Sequence, residues 1–270
     1  MPDRAPAAIA SAVDYAVANG RAYAERLNTL GIKIADAKVL EIGPGPAFGS
    51  MAYLRSRGAD VSVADRWLAP WNADYHNLFY AALAERLKKE EPAADTDFLQ
   101  RIVSRNAYDD DAIGLVHRGA EDLAGISDRS VDAIFSNAVL EHLADPQTAF
   151  DELFRITKPG GAGVHQVDYR DHRDFDKPLD HLLFDANTFA QISEKVNTEY
   201  GSQLRQPDYA FLLTGAGFEI ESYSSNCRAD DAYLDTLEKR LRRRARSAYR
   251  DCPRPVLADL SGQFIVRRGA

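Results

Sequence analysis

Four of the chain's six histidines, His142, His165, His172 and His181, fall in one stretch together with Asp168 and Asp171. An imidazole titrates near neutral pH, so these side chains are candidates to take a proton from a reacting hydroxyl. We take His172, His181, His142 and Asp168 as the candidate catalytic groups. His165 lies in the middle of an apolar run, the position of a side chain that points into a sheet. Asp168, Asp171 and His172 have the donor types of a divalent-metal site. Mixed carboxylate–imidazole loops are usually solvated, and no metal is expected here.

A second group lies upstream. Val39-Leu40-Glu41-Ile42-Gly43-Pro44-Gly45 is an apolar run that ends in an acid and a glycine-rich turn. Glycines let a ligand approach the backbone, and a helix start after the turn offers unpaired N–H groups. Asp65 closes the next apolar run, about 20 residues past the turn, the place of an acid that accepts hydrogen bonds from a ribose diol. The dinucleotide fingerprint would need a third glycine at position 48, which is Phe48. Glu41 would also repel a pyrophosphate, whereas it suits an ammonium group. The ligand implied is a nucleoside that carries a positive charge.

These groups need a scaffold. Short apolar runs at 39–42, 59–64, 113–117, 130–137 and 163–169 read as buried parallel strands. Helical spacing covers 7–30, 78–89, 147–157 and 207–216, and residues 186–205 read as mostly helical. Phe218 to Tyr223 alternates as a sixth strand, and Ser261 to Arg268 is a last one, expected antiparallel and inserted beside the fifth. The stretch 230–249 reads as a helix that carries a basic cluster, Lys239 to Arg250, and could greet an anionic acceptor, a membrane surface or a protein partner. Arg66, Trp67, Trp71, Tyr75 and His76 follow Asp65. Arg66 is placed with the cofactor, and the other four are expected to line the substrate pocket.

The pattern Glu41-x-Gly43-x-Gly45 resembles motif I of the class I S-adenosylmethionine (SAM) methyltransferases. The block VDAIFSNAVLEHLADP…AFDELFRITKPGG, residues 131–161, resembles the region after motif III in the methyltransferase-11 type. The resemblance covers roughly 38–170 and implies an α/β Rossmann-like sheet of seven strands in the order 3-2-1-4-5-7-6. Helices would lie on both faces, with a helical cover. It implies a SAM-binding domain over 38–270 after an N-terminal helical segment, 1–37, with insertions 66–112 and 171–206 as the cover. It places Glu41, Gly43, Gly45, Asp65, Ala120, Glu121, Asp122 and Asn137 around SAM, with S-adenosylhomocysteine as product. The family often has Asp where Gly119 stands, so Glu121 or Asp122 would substitute.

The expected reaction is methyl transfer to an oxygen of a small-molecule, glycan or lipid-linked acceptor. The alternatives are an NAD(P)-dependent oxidoreductase and a catalytically silent SAM-binding protein. A net charge of −8 argues against a nucleic-acid partner. No apolar run reaches the ~18–20 residues of a membrane span. Two cysteines without metal or disulfide spacing suggest a reducing, cytoplasmic setting.

Overall fold

The structure is a computed structural model that describes residues 3–196 and 199–269. Its elements in chain order are α1 (Pro6–Thr29), β1 (Lys38–Ile42), α2 (Gly49–Ser56), β2 (Asp60–Ala64), α3 (Ala73–Glu90), α4 (Asp97–Arg105) and β3 (Ile113–Val116). There follow β4 (Val131–Asn137), α5 (Pro146–Ile156), β5 (Thr157–Asp168), α6 (Ala186–Glu194), α7 (Gln206–Gly215), β6 (Phe218–Arg228), α8 (Asp231–Arg242), α9 (Arg254–Ala258) and β7 (Asp259–Arg268). The seven strands form one sheet in the order β3-β2-β1-β4-β5-β7-β6, with helices on both faces. That is the order expected from the sequence. It departs from the six-stranded 3-2-1-4-5-6 order of dinucleotide-binding sheets, because β7 is slotted between β5 and β6 and runs antiparallel to β6.

The chain divides into two compact units, 1–135 with 155–162, and 136–154 with 163–270. In the first, β1 pairs with β2 and β2 with β3, all parallel and in unbroken register. Val39, Leu40, Ile42, Val61, Val63 and Ala64 are buried, as parallel strands covered on both faces must be. α1 packs directly on α2. A Cβ added at Gly49 would sit 2.4 Å from Cβ of Ala16, so only glycine lets the two backbones come this close. α3 starts five residues earlier than its apolar spacing suggests, because the Asn72 side chain accepts from the N–H groups of Asp74 (3.1 Å) and Tyr75 (3.3 Å).

In the second unit β6 and β7 form the long antiparallel ladder, with register shifts between Ile220 and Ser222 and around Cys227. A smaller apolar cluster, built on Leu179, Leu182, Leu234, Leu237, Leu241 and Leu257, joins α8 and α9. Arg205 is buried nearby without a carboxylate. It donates to the backbone carbonyls of Tyr169 (2.8 Å), Val256 (3.2 Å), Leu257 (3.2 Å) and Asp259. Burial lowers its pKa.

Three expectations shift. The basic cluster is not one helix: α8 ends at Arg242, and 243–250 is turns. Arginines stacked at i, i+3 and i+4 repel one another, while the negative helix end favours cations, so the run terminates the helix instead of extending it. In 186–205 the helix covers only Ala186–Glu194; Asn197 and Thr198 lie outside the described residues. β5 begins at Thr157 rather than Gly163, with Lys158 held by both oxygens of Asp132 (2.8 and 2.7 Å). Among the described residues, no helix is long and apolar enough to cross a membrane.

Candidate functional site

The glycine turn lies in the first unit. Gly43 (φ 66°) and Gly45 (φ 69°) both take the left-handed backbone, which L side chains rarely adopt. Nothing lies within 4 Å of a Cβ built on Gly45, so its face of the loop is open. The loop is pinned from behind by α3. His76 Nε2 is 2.7 Å from the Pro46 carbonyl, and its Nδ1 accepts from the Asn72 N–H at 2.8 Å, which sets the tautomer with the proton on Nε2. Tyr80 donates to the Ala47 carbonyl at 2.9 Å, and Tyr108 lies 3.0 Å from His76 Nε2. His76 is buried, and desolvation lowers its pKa, so it stays a neutral donor.

Glu41 sits at the end of β1, 4% exposed. One oxygen accepts from Tyr23 of α1 at 2.9 Å; the other, Oε2, has no hydrogen-bond partner. Burial pushes the carboxyl up to about 7. A buried carboxylate with a free oxygen costs several kcal/mol unless a donor or cation meets it (about that for any dry ion). A loop with an open glycine face and an adjacent acid that keeps one partnerless oxygen fits an amino-acid-bearing cofactor, and that acid would repel a pyrophosphate.

The other predicted cofactor residues of this unit are placed as follows. Asp65 is half-buried after β2, and its Oδ1 accepts from the Trp67 N–H at 2.6 Å. Arg66 lies 3.5 Å from Glu121. A Cβ at Gly119 would meet Glu121 Oε2 at 2.9 Å, so Glu121 fills the space where an acid at 119 would point. Ala120 is buried, while Asp122 is exposed and paired with Arg118. The four aromatic residues expected in the substrate pocket separate. Trp67 is 78% exposed. Tyr75 and His76 are buried in the wall behind the loop, where Trp71 stacks on His76 (4.8 Å) and meets Tyr108 edge-on (5.1 Å).

The second unit holds Asn137, half-buried at the end of β4, and the histidine stretch. His165 is buried in β5, 2.9 Å from the Ser136 hydroxyl, and burial depresses its pKa to about 4. His181 is fully enclosed beside Phe189, neither ring nitrogen has a hydrogen-bond partner, and its pKa falls to about 3. Such an imidazole has no path to solvent. The remaining groups cluster where β4 and β5 end. His142 and His172 lie ring to ring at 4.9 Å. His172 Nε2 is 3.6 Å from Asp168, too long for a hydrogen bond. Asp168 itself is gripped by Arg170 (2.6 and 2.9 Å), and it keeps a pKa below the usual carboxylate range despite burial, through His172 and Arg170. Glu141, passed over in the sequence, joins them at 1% exposure, with neither oxygen hydrogen-bonded. Burial raises its carboxyl to about 8.

Residues 77–164 match the family model described as a methyltransferase domain. No curated protein matches the chain. Among solved structures it resembles a "putative sarcosine dimethylglycine methyltransferase" from Galdieria sulphuraria, with 17% identity, TM-score 0.50, and coverage of 93% of this chain and 85% of that one. It also resembles an S-adenosylmethionine-dependent methyltransferase from Mesorhizobium loti, with 14% identity, TM-score 0.50, and coverage of 90% and 96%. The chain thus has the sheet order of the class I SAM-dependent methyltransferase fold, and its central third is similar to the methyltransferase-domain family.

Proposed function

We propose that the chain transfers a methyl group from SAM to an oxygen of a small-molecule, glycan or lipid-linked acceptor. The observation that carries the reading is Glu41: a buried acid with one free oxygen, beside a glycine turn held in the left-handed conformation. SAM brings an ammonium for that oxygen, a ribose for Asp65, and an adenine for the Ala120–Asp122 loop, with Arg66 tying Glu121 in place. Asn137 borders the methionine end. When bound, SAM supplies a methyl already activated by the sulfonium charge, so the protein has to align the acceptor and take its proton.

His142, His172 and Asp168 are the groups proposed to handle that proton; they sit where strands end, the ligand side of doubly wound sheets. Their clustering supports a hydroxyl acceptor over one that needs no base. The burial of His181 supports a packing role for it instead. Trp67, exposed beyond Asp65, is the aromatic of its group best disposed to meet an acceptor, and the 66–112 and 171–206 segments are proposed as its cover. The free cysteines, Cys227 and Cys252, suit a reducing cytoplasm.

A thermal-shift comparison tests the cofactor. Ligand at 100 times its Kd stabilises a fold by about 2.7 kcal/mol. SAM and S-adenosylhomocysteine are expected to raise Tm, and NADH and NADPH to leave it unchanged. A shift with a nicotinamide alone would overturn the reading. SAM binding with no methyl transfer to any acceptor would favour the silent binding protein.

A further inference from the structure

We propose that Glu141, His142 and His172 form a site for one divalent transition-metal ion, of the zinc, manganese or iron(II) class. The three side chains each offer a donor atom, and these atoms lie within 4.8 Å of one another. Donors around an ion bound at about 2.0–2.2 Å stand roughly 3–3.5 Å apart, so small side-chain rotations close the set. Two imidazoles and one carboxylate are the ligand types of catalytic zinc and of facial-triad iron sites, which leave coordination positions open.

Glu141 is the independent observation. It is almost fully buried, and both oxygens lack a hydrogen-bond partner. Charge at the cluster fits a cation. Asp168 and Arg170 neutralise each other, and the histidines are neutral as ligands, so an ionised Glu141 leaves one net negative charge. A divalent ion turns that into one positive charge, suited to a deprotonated hydroxyl, a phenolate or a hydroxy acid. Asp168 lies 3.6 Å from His172 Nε2, beyond hydrogen-bond reach as it stands; closing that gap makes it the carboxylate that orients a ligating imidazole. The position also has a purpose under the methyl-transfer reading, on which this last step rests: an acceptor hydroxyl bound to the ion releases its proton to solvent more readily, and the ion then takes over the proton-handling role of His142 and His172, whose nitrogens it occupies.

The test uses chelator-stripped full-length protein without SAM. Cobalt(II) titration, followed by visible d–d bands, and calorimetry with zinc and manganese(II) read binding. Pulsed EPR on the manganese(II) or copper(II) form of the native protein counts coordinated imidazoles. One equivalent bound with two imidazole nitrogens is expected. Glu141→Gln and His172→Asn should each weaken binding by more than about a hundredfold, and Asp168→Asn by about 10–100-fold. The exposed His117→Asn should change nothing. No saturable binding, or binding that survives both ligand substitutions, would overturn the site. If a variant fails to fold by circular dichroism, the imidazole count on the native protein decides. SAM binding is measured in parallel: SAM bound without metal sinks this inference alone, and metal bound without SAM sinks only the methyl-transfer reading.

Discussion

The two units treat buried polar groups differently. In the first, the groups that hold the glycine turn are partnered: His76 uses both ring nitrogens, and Tyr80 and Tyr23 their hydroxyls, while Glu41 keeps a partnerless Oε2. In the second, Glu141, His172 and His181 carry buried donor or acceptor atoms with no hydrogen-bond partner. A binding loop can be finished in advance, since its ligand brings a fixed pattern of donors. A group that must hold a proton or an ion has to be left incomplete, and the protein bears that cost as desolvation.

The largest test of this contrast is Arg205→Met, where a buried charge in the second unit gives both terminal nitrogens to backbone carbonyls. Four backbone carbonyls lose their donor, at roughly 1–3 kcal/mol each, so at least about 4 kcal/mol of stability should vanish in urea unfolding. A loss under 1 kcal/mol would mean those carbonyls are not dry.

Next comes pH. The Glu41 and Glu141 carboxyls, raised to about 7 and about 8 from an unfolded value of 4.5, keep their protons longer when folded. Stability from them is complete below pH 4.5 and drains as pH rises through 7–8. His165 and His181, depressed to about 4 and about 3, act the other way below 6.5, where acid favours the unfolded chain. The decline above pH 6.5 therefore belongs to the carboxyls: of an upper bound of about 3–5 kcal/mol each between pH 4.5 and 7–8, under about 1 kcal/mol for Glu41 and about 2 kcal/mol for Glu141 falls above pH 6.5, at 1.36 kcal/mol per unit. Glu41→Gln and Glu141→Gln should each flatten their share in melts from pH 6 to 9, and saturating SAM should flatten only the Glu41 share. If SAM leaves the alkaline decline untouched, its ammonium does not meet Glu41.

A smaller effect separates ribose recognition from the loop. Asp65→Ala should weaken SAM binding by about 1–3 kcal/mol in calorimetry while Tm of the free protein holds. Unchanged affinity removes Asp65 from the site. Smallest of all, Trp67→Ala should change stability by no more than about 0.5 kcal/mol, as for an exposed residue away from any packing. A measurable drop in acceptor turnover alongside that neutral stability would give the indole its role.

The strands were readable as local apolar runs, and their order followed from the family resemblance that the glycine turn and the 131–161 block carry. What packs against them was not. Tyr23 reaches Glu41 from a helix that, in the sequence, shows only amphipathic spacing. Asn72 is an ordinary helix-cap signal that, once noticed, moves Tyr75 and His76 into the first turn of α3 and so behind the loop. His172 and His181 look equivalent as letters, yet one stands at the end of a strand and the other is enclosed beside Phe189. Glu141 reads in the sequence as part of a structural Glu141-His142 element, because what sets it apart is a missing partner, which no sequence pattern displays.

The antiparallel β7 also sets a schedule. It is the last of the seven strands to leave the ribosome, yet its place is inside the sheet, between β5 and β6. Until it arrives, β5 and β6 each present a bare edge to the solvent, with Val266 and Phe264 not yet there to complete the core. The nascent chain can finish β1 to β4 early, but its second unit closes only after synthesis reaches Arg268. Pauses or premature release before Arg268 would leave a chain with its glycine turn formed and two adhesive strand edges open, the state in which aggregation competes with folding.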